Sequence, residues 1–108
     1  MDRDDAQICY ANLDKLTHWD THLHILQTMH ALPIDTAHKE AVHSFLTKNV
    51  TSKRTLIRAW SYTGFVILTR QYQGYRAEAH TLLKQAKEVE AARSILVRIR
   101  RGLEELAA

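Results

Sequence analysis

The stretch from Leu56 to Leu68 carries one formal charge, that of Arg58. In a helical projection its apolar residues occupy two sides: Leu56, Ala59, Trp60 and Ile67 on one, and Ile57, Phe65 and Leu68 on the other. A helix that is apolar on most of its sides must be covered on most of its sides. We therefore expect this stretch to be the central helix of an all-α domain, with Trp60, Phe65 and Leu68 as core anchors.

Turn-forming residues are scarce. The chain of 108 residues contains three glycines and one proline, too few for a β fold that is rich in turns. This length suits one domain with its own core. The sequence therefore predicts a single helical-repeat domain over residues 1–108.

Apolar residues recur at helical spacing along the whole chain. We expect six helices, over residues 4–16, 19–32, 36–50, 53–71, 75–86 and 89–106. Pro33 should end the second helix, because the residue before a proline avoids the helical region. Asp35 is the expected N-cap of the third helix, and Thr51 or Ser52 that of the fourth. Gly74 is expected to end the fourth helix in a left-handed conformation.

Two parts of the sequence recur. Residues 43–48 are similar to residues 80–84, and residues 55–59 are similar to residues 95–99. The second alignment pairs Arg58 with Arg98, and Lys53 with Arg93. Recurrence over roughly 40 residues is typical of helical hairpins that stack on one another. We expect three stacked antiparallel hairpins, each made of two consecutive helices.

The apolar-Arg-Ala pattern at residues 57–59, and less completely at residues 97–99, resembles the opening of the second helix in HEAT-like repeats. The resemblance covers roughly residues 19–106 and implies a short α-α superhelix used as an interaction surface. HEAT repeats usually place an aspartate at the turn before this arginine. Here the corresponding positions, 49–53 and 88–92, contain no aspartate, and Glu88 or Glu90 could take its place. Some metal-dependent hydroxylases of this architecture bind metal through His-Glu dipeptides, which this chain lacks.

Charge is distributed unevenly. Residues 1–47 contain three basic and seven acidic residues, a net charge of −4, whereas residues 48–108 contain twelve basic and five acidic residues, a net charge of +7. A basic half favours anionic partners, including nucleic acid or an acidic protein surface. The candidate basic binding strip consists of Lys53, Arg54, Arg58, Arg93, Arg98, Arg100 and Arg101. Glu104 and Glu105, each four residues after an arginine, would partly offset it.

Catalytic and metal sites are not indicated. His18 and His22 stand four residues apart, but a third ligand is missing, and His22 and His24 point to different sides of a helix. Cys9 lies on the apolar stripe of the first helix, where packing explains it better than reactivity. The three glycines are too few for a phosphate loop. We expect no enzyme activity, no metal and no cofactor.

The expected location is the cytoplasm. The first residues are acidic and lead into no apolar run, unlike a secretory signal. No apolar stretch approaches the roughly 20 residues that span a bilayer, so we expect no membrane association. A single cysteine, Cys9, excludes a disulfide within the chain and suits a reducing compartment.

The leading hypothesis from the sequence is a non-enzymatic interaction module that binds a protein partner or a second copy of itself. Its basis is that a three-repeat array leaves both end faces partly apolar. The alternative is a module that binds nucleic acid or an acidic partner through the basic strip.

Overall fold

A computed structural model of the protein describes residues 3–15 and 17–107. Within these ranges there is no strand, and six α-helices follow one another: α1 Arg3–Ala11, α2 Trp19–Thr28, α3 Lys39–Asn49, α4 Thr55–Gln71, α5 Arg76–Val89 and α6 Arg93–Ala107. The all-α class expected from the sequence is confirmed.

Several helix ends differ from the expected ones, because single 3-10 turns occupy the junctions. One such turn, Leu13–Lys15, follows α1, and another, Met29–Ala31, continues α2 toward Pro33. A third, Thr36–His38, precedes α3, and the Asp35 side chain does not cap it. The Ser52 hydroxyl accepts a hydrogen bond from the Arg54 backbone N–H at 3.2 Å, so it supports the turn before α4 without capping the helix.

Gly74 does not adopt the left-handed conformation that was expected, since no described glycine has a positive φ. Helix α4 ends because Tyr72 is extended, with φ −136° and ψ 96°. Contacts with the segment after α2 hold this end: the Ile34 backbone N–H donates to the Gln71 side chain at 2.7 Å, and the Tyr72 hydroxyl donates to the Ile34 carbonyl oxygen. Tertiary hydrogen bonds, not a glycine, therefore end this helix.

Helix α4 lies at the centre of the molecule, in contact with α2, α3, α5 and α6. Phe65 and Leu68 are buried, as expected of core anchors. Gly64 permits close packing, because a Cβ atom there would lie 2.4 Å from Cδ2 of Leu46. Trp60 differs from the expectation: it packs on the core but is only partly buried.

The remaining contacts place α3 against α4, α5 against α6, and α1 against α3. Helices α4 and α6 run in the same direction. Arg58, in the first turn of α4, binds Glu90 just before α6, and Arg70, in the last turn of α4, binds Glu105 in the last turn of α6. Within the described residues, none of the helices has both the length and the hydropathy of a membrane span.

Candidate functional site

A surface groove of about 270 Å³ runs between α4 and α6. It is lined by Thr63, Val66, Arg70, Arg98, Arg101, Gly102 and Glu105. Gly102 sets the spacing of the two helices, because a Cβ atom there would lie 2.9 Å from Cγ2 of Val66. The helices thus meet closely at the floor, and the long charged side chains form the walls. We call this surface the α4–α6 groove.

Arg98 is held in a fixed orientation at one wall of the groove. Its guanidinium carbon lies 3.7 Å from the centroid of the Trp60 ring, a cation–π geometry. Its Nη1 donates a hydrogen bond to the Thr63 hydroxyl at 3.3 Å. Burial, and secondarily the positive charge of Arg101, lower the pKa of Arg98. Trp60, expected only to fill the core, is therefore also the platform for this arginine.

The charges of the groove are not balanced. Arg70 donates to the Glu105 carboxylate at 2.5 and 2.6 Å, and this hydrogen bonding lowers the pKa of Glu105. Arg98 and Arg101 form no ion pair with any residue in the described part of the chain. Three arginines and one glutamate leave the groove with a net charge of +2. The sequence suggested that Glu105 offsets Arg101, but the carboxylate binds Arg70 instead.

Arg58 has the opposite environment. Its Nε and Nη2 donate to the two carboxylate oxygens of Glu90 at 2.9 and 3.2 Å, and its Nη1 donates to the Ser52 carbonyl oxygen at 3.0 Å. The Tyr62 hydroxyl donates to the same carboxylate at 2.8 Å. Burial alone would raise the pKa of Glu90, but the hydrogen bonds from Arg58 and Tyr62 outweigh it and lower that pKa. Arg58 is thus neutralised and contributes no free charge to the predicted basic strip.

The rest of the predicted strip is exposed: Lys53, Arg54, Arg93 and Arg100. Arg54 lies over the ring of Trp19, with its guanidinium carbon 4.0 Å from the ring centroid. The structure therefore divides the predicted strip. Arg98 and Arg101 meet in the groove, Arg54 stacks at the start of α4, and Arg58 is paired.

The histidines occupy separate environments. His22 is buried, with Nδ1 3.3 Å from the Asn49 side-chain oxygen. Nε2 of His43 lies 2.5 Å from a Glu78 carboxylate oxygen, and its ring stacks on Tyr75 at 5.0 Å. Sequence reasoning missed this α3–α5 contact, because helical periodicity does not show which residues of two different helices face each other. Among the described residues, no three His, Cys, Asp or Glu side chains are grouped as a metal site would require.

A larger cavity of about 480 Å³ is lined mainly by residues of α2, α3 and the turn after α1, including Leu13, His22 and Phe45. Two of its lining residues, Leu13 and Asp14, are close in sequence to position 16, which is outside the described residues. Its lining has one lysine and one aspartate, so it lacks the charge imbalance of the α4–α6 groove.

Comparison with protein families, with curated proteins and with solved structures found no match to this chain.

Proposed function

We propose that this chain is a non-enzymatic protein-interaction module of the HEAT-like repeat type, acting in the cytoplasm. The observation that supports it is a sequence separation of 35 residues that recurs between contacting side chains of different helices. This separation recurs in four pairs: Trp19 with Arg54, His43 with Glu78, Thr63 with Arg98, and Arg70 with Glu105. In a stack of helical repeats, residues of neighbouring units face each other about one repeat length apart.

The pairing of Arg58 with Glu90 supports the same proposal. HEAT-like repeats are expected to carry an acidic residue at the turn before the repeat arginine, and Glu90 occupies that turn before Arg98. Its carboxylate binds Arg58 of the preceding unit. The pair would thus link two successive units, as an aspartate-arginine ladder does.

One edge of the molecule is the best surface for a protein partner. Trp19, Leu56 and Val89 are 44%, 48% and 80% exposed there. Trp19 begins α2, Leu56 lies in the first turn of α4 and Val89 ends α5. The Arg54–Trp19 and Arg58–Glu90 contacts join these three helix ends. Exposed apolar and aromatic side chains at neighbouring helix ends are typical of contact sites. We refer to these three residues as the apolar edge.

The test combines self-association with partner capture. Sedimentation velocity over a wide range of concentrations measures whether the chain forms dimers, and quantitative capture from lysate measures specific partners. Val89→Lys removes the most exposed apolar side chain of the apolar edge. Gln85→Lys introduces the same side chain at another exposed position of α5 and is the matched control. We expect Val89→Lys to abolish the dimer or the captured partner, and Gln85→Lys to retain it.

Two outcomes count against this proposal. A chain that remains monomeric at high concentration and captures no specific partner would contradict the function itself. A partner that Val89→Lys and Gln85→Lys retain equally would contradict the assignment to the apolar edge and leave the function standing.

A second candidate function is binding of nucleic acid by the basic half. It is favoured by the two arginines without carboxylate partners, Arg98 and Arg101, together with the exposed cations Lys53, Arg54, Arg93 and Arg100. Phosphate contacts of this kind release counterions, so binding should weaken steeply with salt. Charge reversal at both Arg98 and Arg101 should reduce it. Absence of RNA and DNA binding at low salt would eliminate this candidate.

A further inference from the structure

The α4–α6 groove holds two arginines whose charges nothing else in the described chain balances. Arg98 and Arg101 lie three residues apart on α6, so they project from the same side of the helix. Placing two like charges together is unfavourable, and the lowered pKa of Arg98 reflects both its burial and its proximity to Arg101. An anion in the groove would relieve this repulsion. The positive charge of the groove is thus complementary to a ligand that carries a charge of about −2.

The groove is also organised before a ligand arrives. Trp60 fixes the plane of the Arg98 guanidinium, and the Thr63 hydroxyl fixes its rotation. One edge of a guanidinium can donate two parallel hydrogen bonds to two oxygens of the same group. Because Trp60 and Thr63 already restrict this side chain, Arg98 loses less conformational entropy when a ligand binds. On the other wall, Glu105 holds Arg70 in place.

Size and charge favour one chemical class. A groove of about 270 Å³ accommodates a single phosphate group with the side chain that carries it. A phosphomonoester carries roughly −1.5 to −2 charges at pH 7, which matches the net charge of +2. Each phosphodiester of a nucleic acid carries one negative charge per phosphate, half of what the groove can neutralise.

We propose that the α4–α6 groove binds a phosphomonoester dianion, with Arg98 and Arg101 donating to its oxygens and Thr63 at its rim. Two sources share this chemistry: a phosphorylated serine or threonine of a partner protein, and a free small phosphate. Clusters of arginines are a common means of phosphopeptide recognition. The first source deepens the proposed interaction function and rests on it, whereas the second does not.

The experiment titrates the full chain with two peptides of identical, otherwise uncharged sequence, one carrying phosphoserine and one serine. Isothermal titration calorimetry measures affinity, and Trp60 fluorescence in a Trp19→Phe background reports on the groove itself. We expect the phosphorylated peptide to bind at least about tenfold more tightly, and its binding to weaken with salt, because charge-assisted hydrogen bonds carry the contact.

Three variants locate the site. Arg101→Gln should weaken phosphopeptide binding by about fivefold or more, since it removes one of the two free cations. Arg100→Gln removes an equal charge from the adjacent exposed position, outside the groove, and should change affinity less than about twofold. Arg98→Lys keeps the charge but loses the planar fork, so it should also weaken binding. Circular dichroism checks that all three variants fold.

The outcomes separate the alternatives. Inorganic phosphate binding as tightly as the phosphopeptide would assign the site to a small phosphate, and much weaker phosphate binding would assign it to a phosphorylated protein segment. The proposal is overturned if both peptides bind alike, if Arg100→Gln and Arg101→Gln have equal effects, or if a 5′-hydroxyl oligonucleotide binds more tightly than the phosphopeptide. If the chain binds no phosphopeptide but still captures its partner through the apolar edge, this inference is refuted and the proposed function is not.

Discussion

Arg58 and Arg98 occupy equivalent places in the two recurring segments, yet the structure gives them opposite environments. Arg58 donates to Glu90 and to the Ser52 carbonyl oxygen. Arg98 lies on an aromatic ring, and its hydrogen bond goes to a neutral hydroxyl, that of Thr63. The difference lies in their neighbours, not in the arginines themselves. The same position in two similar sequence segments can therefore carry a paired cation in one segment and an available cation in the other.

The comparison also separates two ways of retaining a partly buried charge. A carboxylate compensates for the desolvation of Arg58, so removing either partner leaves an unpaired charge at a partly buried place. At Arg98, desolvation is offset only by Trp60 and a weak hydrogen bond. Arg58 should therefore matter for stability, and Arg98 for recognition.

The largest expected effect is that of Arg58→Met, and Arg98→Met is its comparison, since methionine keeps a long apolar stem at both positions. Arg58→Met leaves Glu90, whose side chain is 10% exposed, without its cation, and we expect a loss of about 2–3 kcal/mol in the free energy of unfolding. Arg98→Met loses a cation–π contact but also relieves desolvation, so we expect less than about 1 kcal/mol. Urea denaturation measures both. Equal losses would show that the two arginines have the same role.

A smaller effect is expected from Tyr62→Phe, which removes the hydroxyl that donates to Glu90 at 2.8 Å and keeps the buried ring. We expect a loss of about 1.5–2 kcal/mol, the lower end of the range for a hydrogen bond to a charged group, because Arg58 still pairs the carboxylate. Burial and this hydrogen bond raise the pKa of Tyr62. Tyr75→Phe, at a less buried tyrosine, is the control. An unchanged denaturation midpoint for Tyr62→Phe would mean that Glu90 relies on Arg58 alone.

Acid should weaken the contact between Arg58 and Glu90. The pKa of Glu90 is lower in the folded chain than its usual value, so the unfolded chain binds a proton more readily. The stability gained is present above the ordinary glutamate pKa of about 4.3 and is lost as the pH falls through the folded value. We expect Glu90→Gln to be less stable than the unsubstituted chain at pH 7 and the gap to narrow below about pH 4. Thermal melting from pH 3 to pH 7 measures the gap, and a constant gap would contradict the linkage.

The smallest expected effect is at the wall of the α4–α6 groove. Glu105→Gln removes an ion pair whose side chains are 53% and 39% exposed, and exposed pairs contribute only about 0.2–1 kcal/mol. Because this change also raises the net charge of the groove, phosphopeptide affinity should increase slightly. Glu104→Gln is the neighbouring exposed control. A loss as large as that of Arg58→Met would mean that the groove is a stability element.

Much of the fold followed from periodicity, because hydrophobic spacing indicates which face of a helix is covered. The stretch from Leu56 to Leu68 was correctly expected to be covered on several sides, and in the structure Gly64 permits close packing there. Helix ends were less predictable, as Gln71 and Tyr72 show. Their hydrogen bonds to Ile34 come from a segment 37 and 38 residues away, and no local pattern contains that information.

The candidate site was predictable in composition but not in arrangement. The sequence indicated both Arg98 and Arg101 as candidate binding residues, and it offered Glu88 and Glu90 as alternative partners for a repeat arginine. It did not show that Glu90 binds Arg58, that Glu105 turns to Arg70, or that Trp60 supports Arg98. Each of these depends on which residues of two helices face each other across an interface.

The position of α4 among four other helices also has a consequence for how the molecule opens. An amide of α4 exchanges its proton with solvent only when that helix separates from neighbours on several sides, whereas α1 packs on one side, against α3 and the segment that precedes it. Amides near Phe65 and Leu68 should therefore exchange at the rate of global unfolding, and those of α1 through local fraying. The chain would then open from its first helix inward, with α4 as the last element to lose its hydrogen bonds.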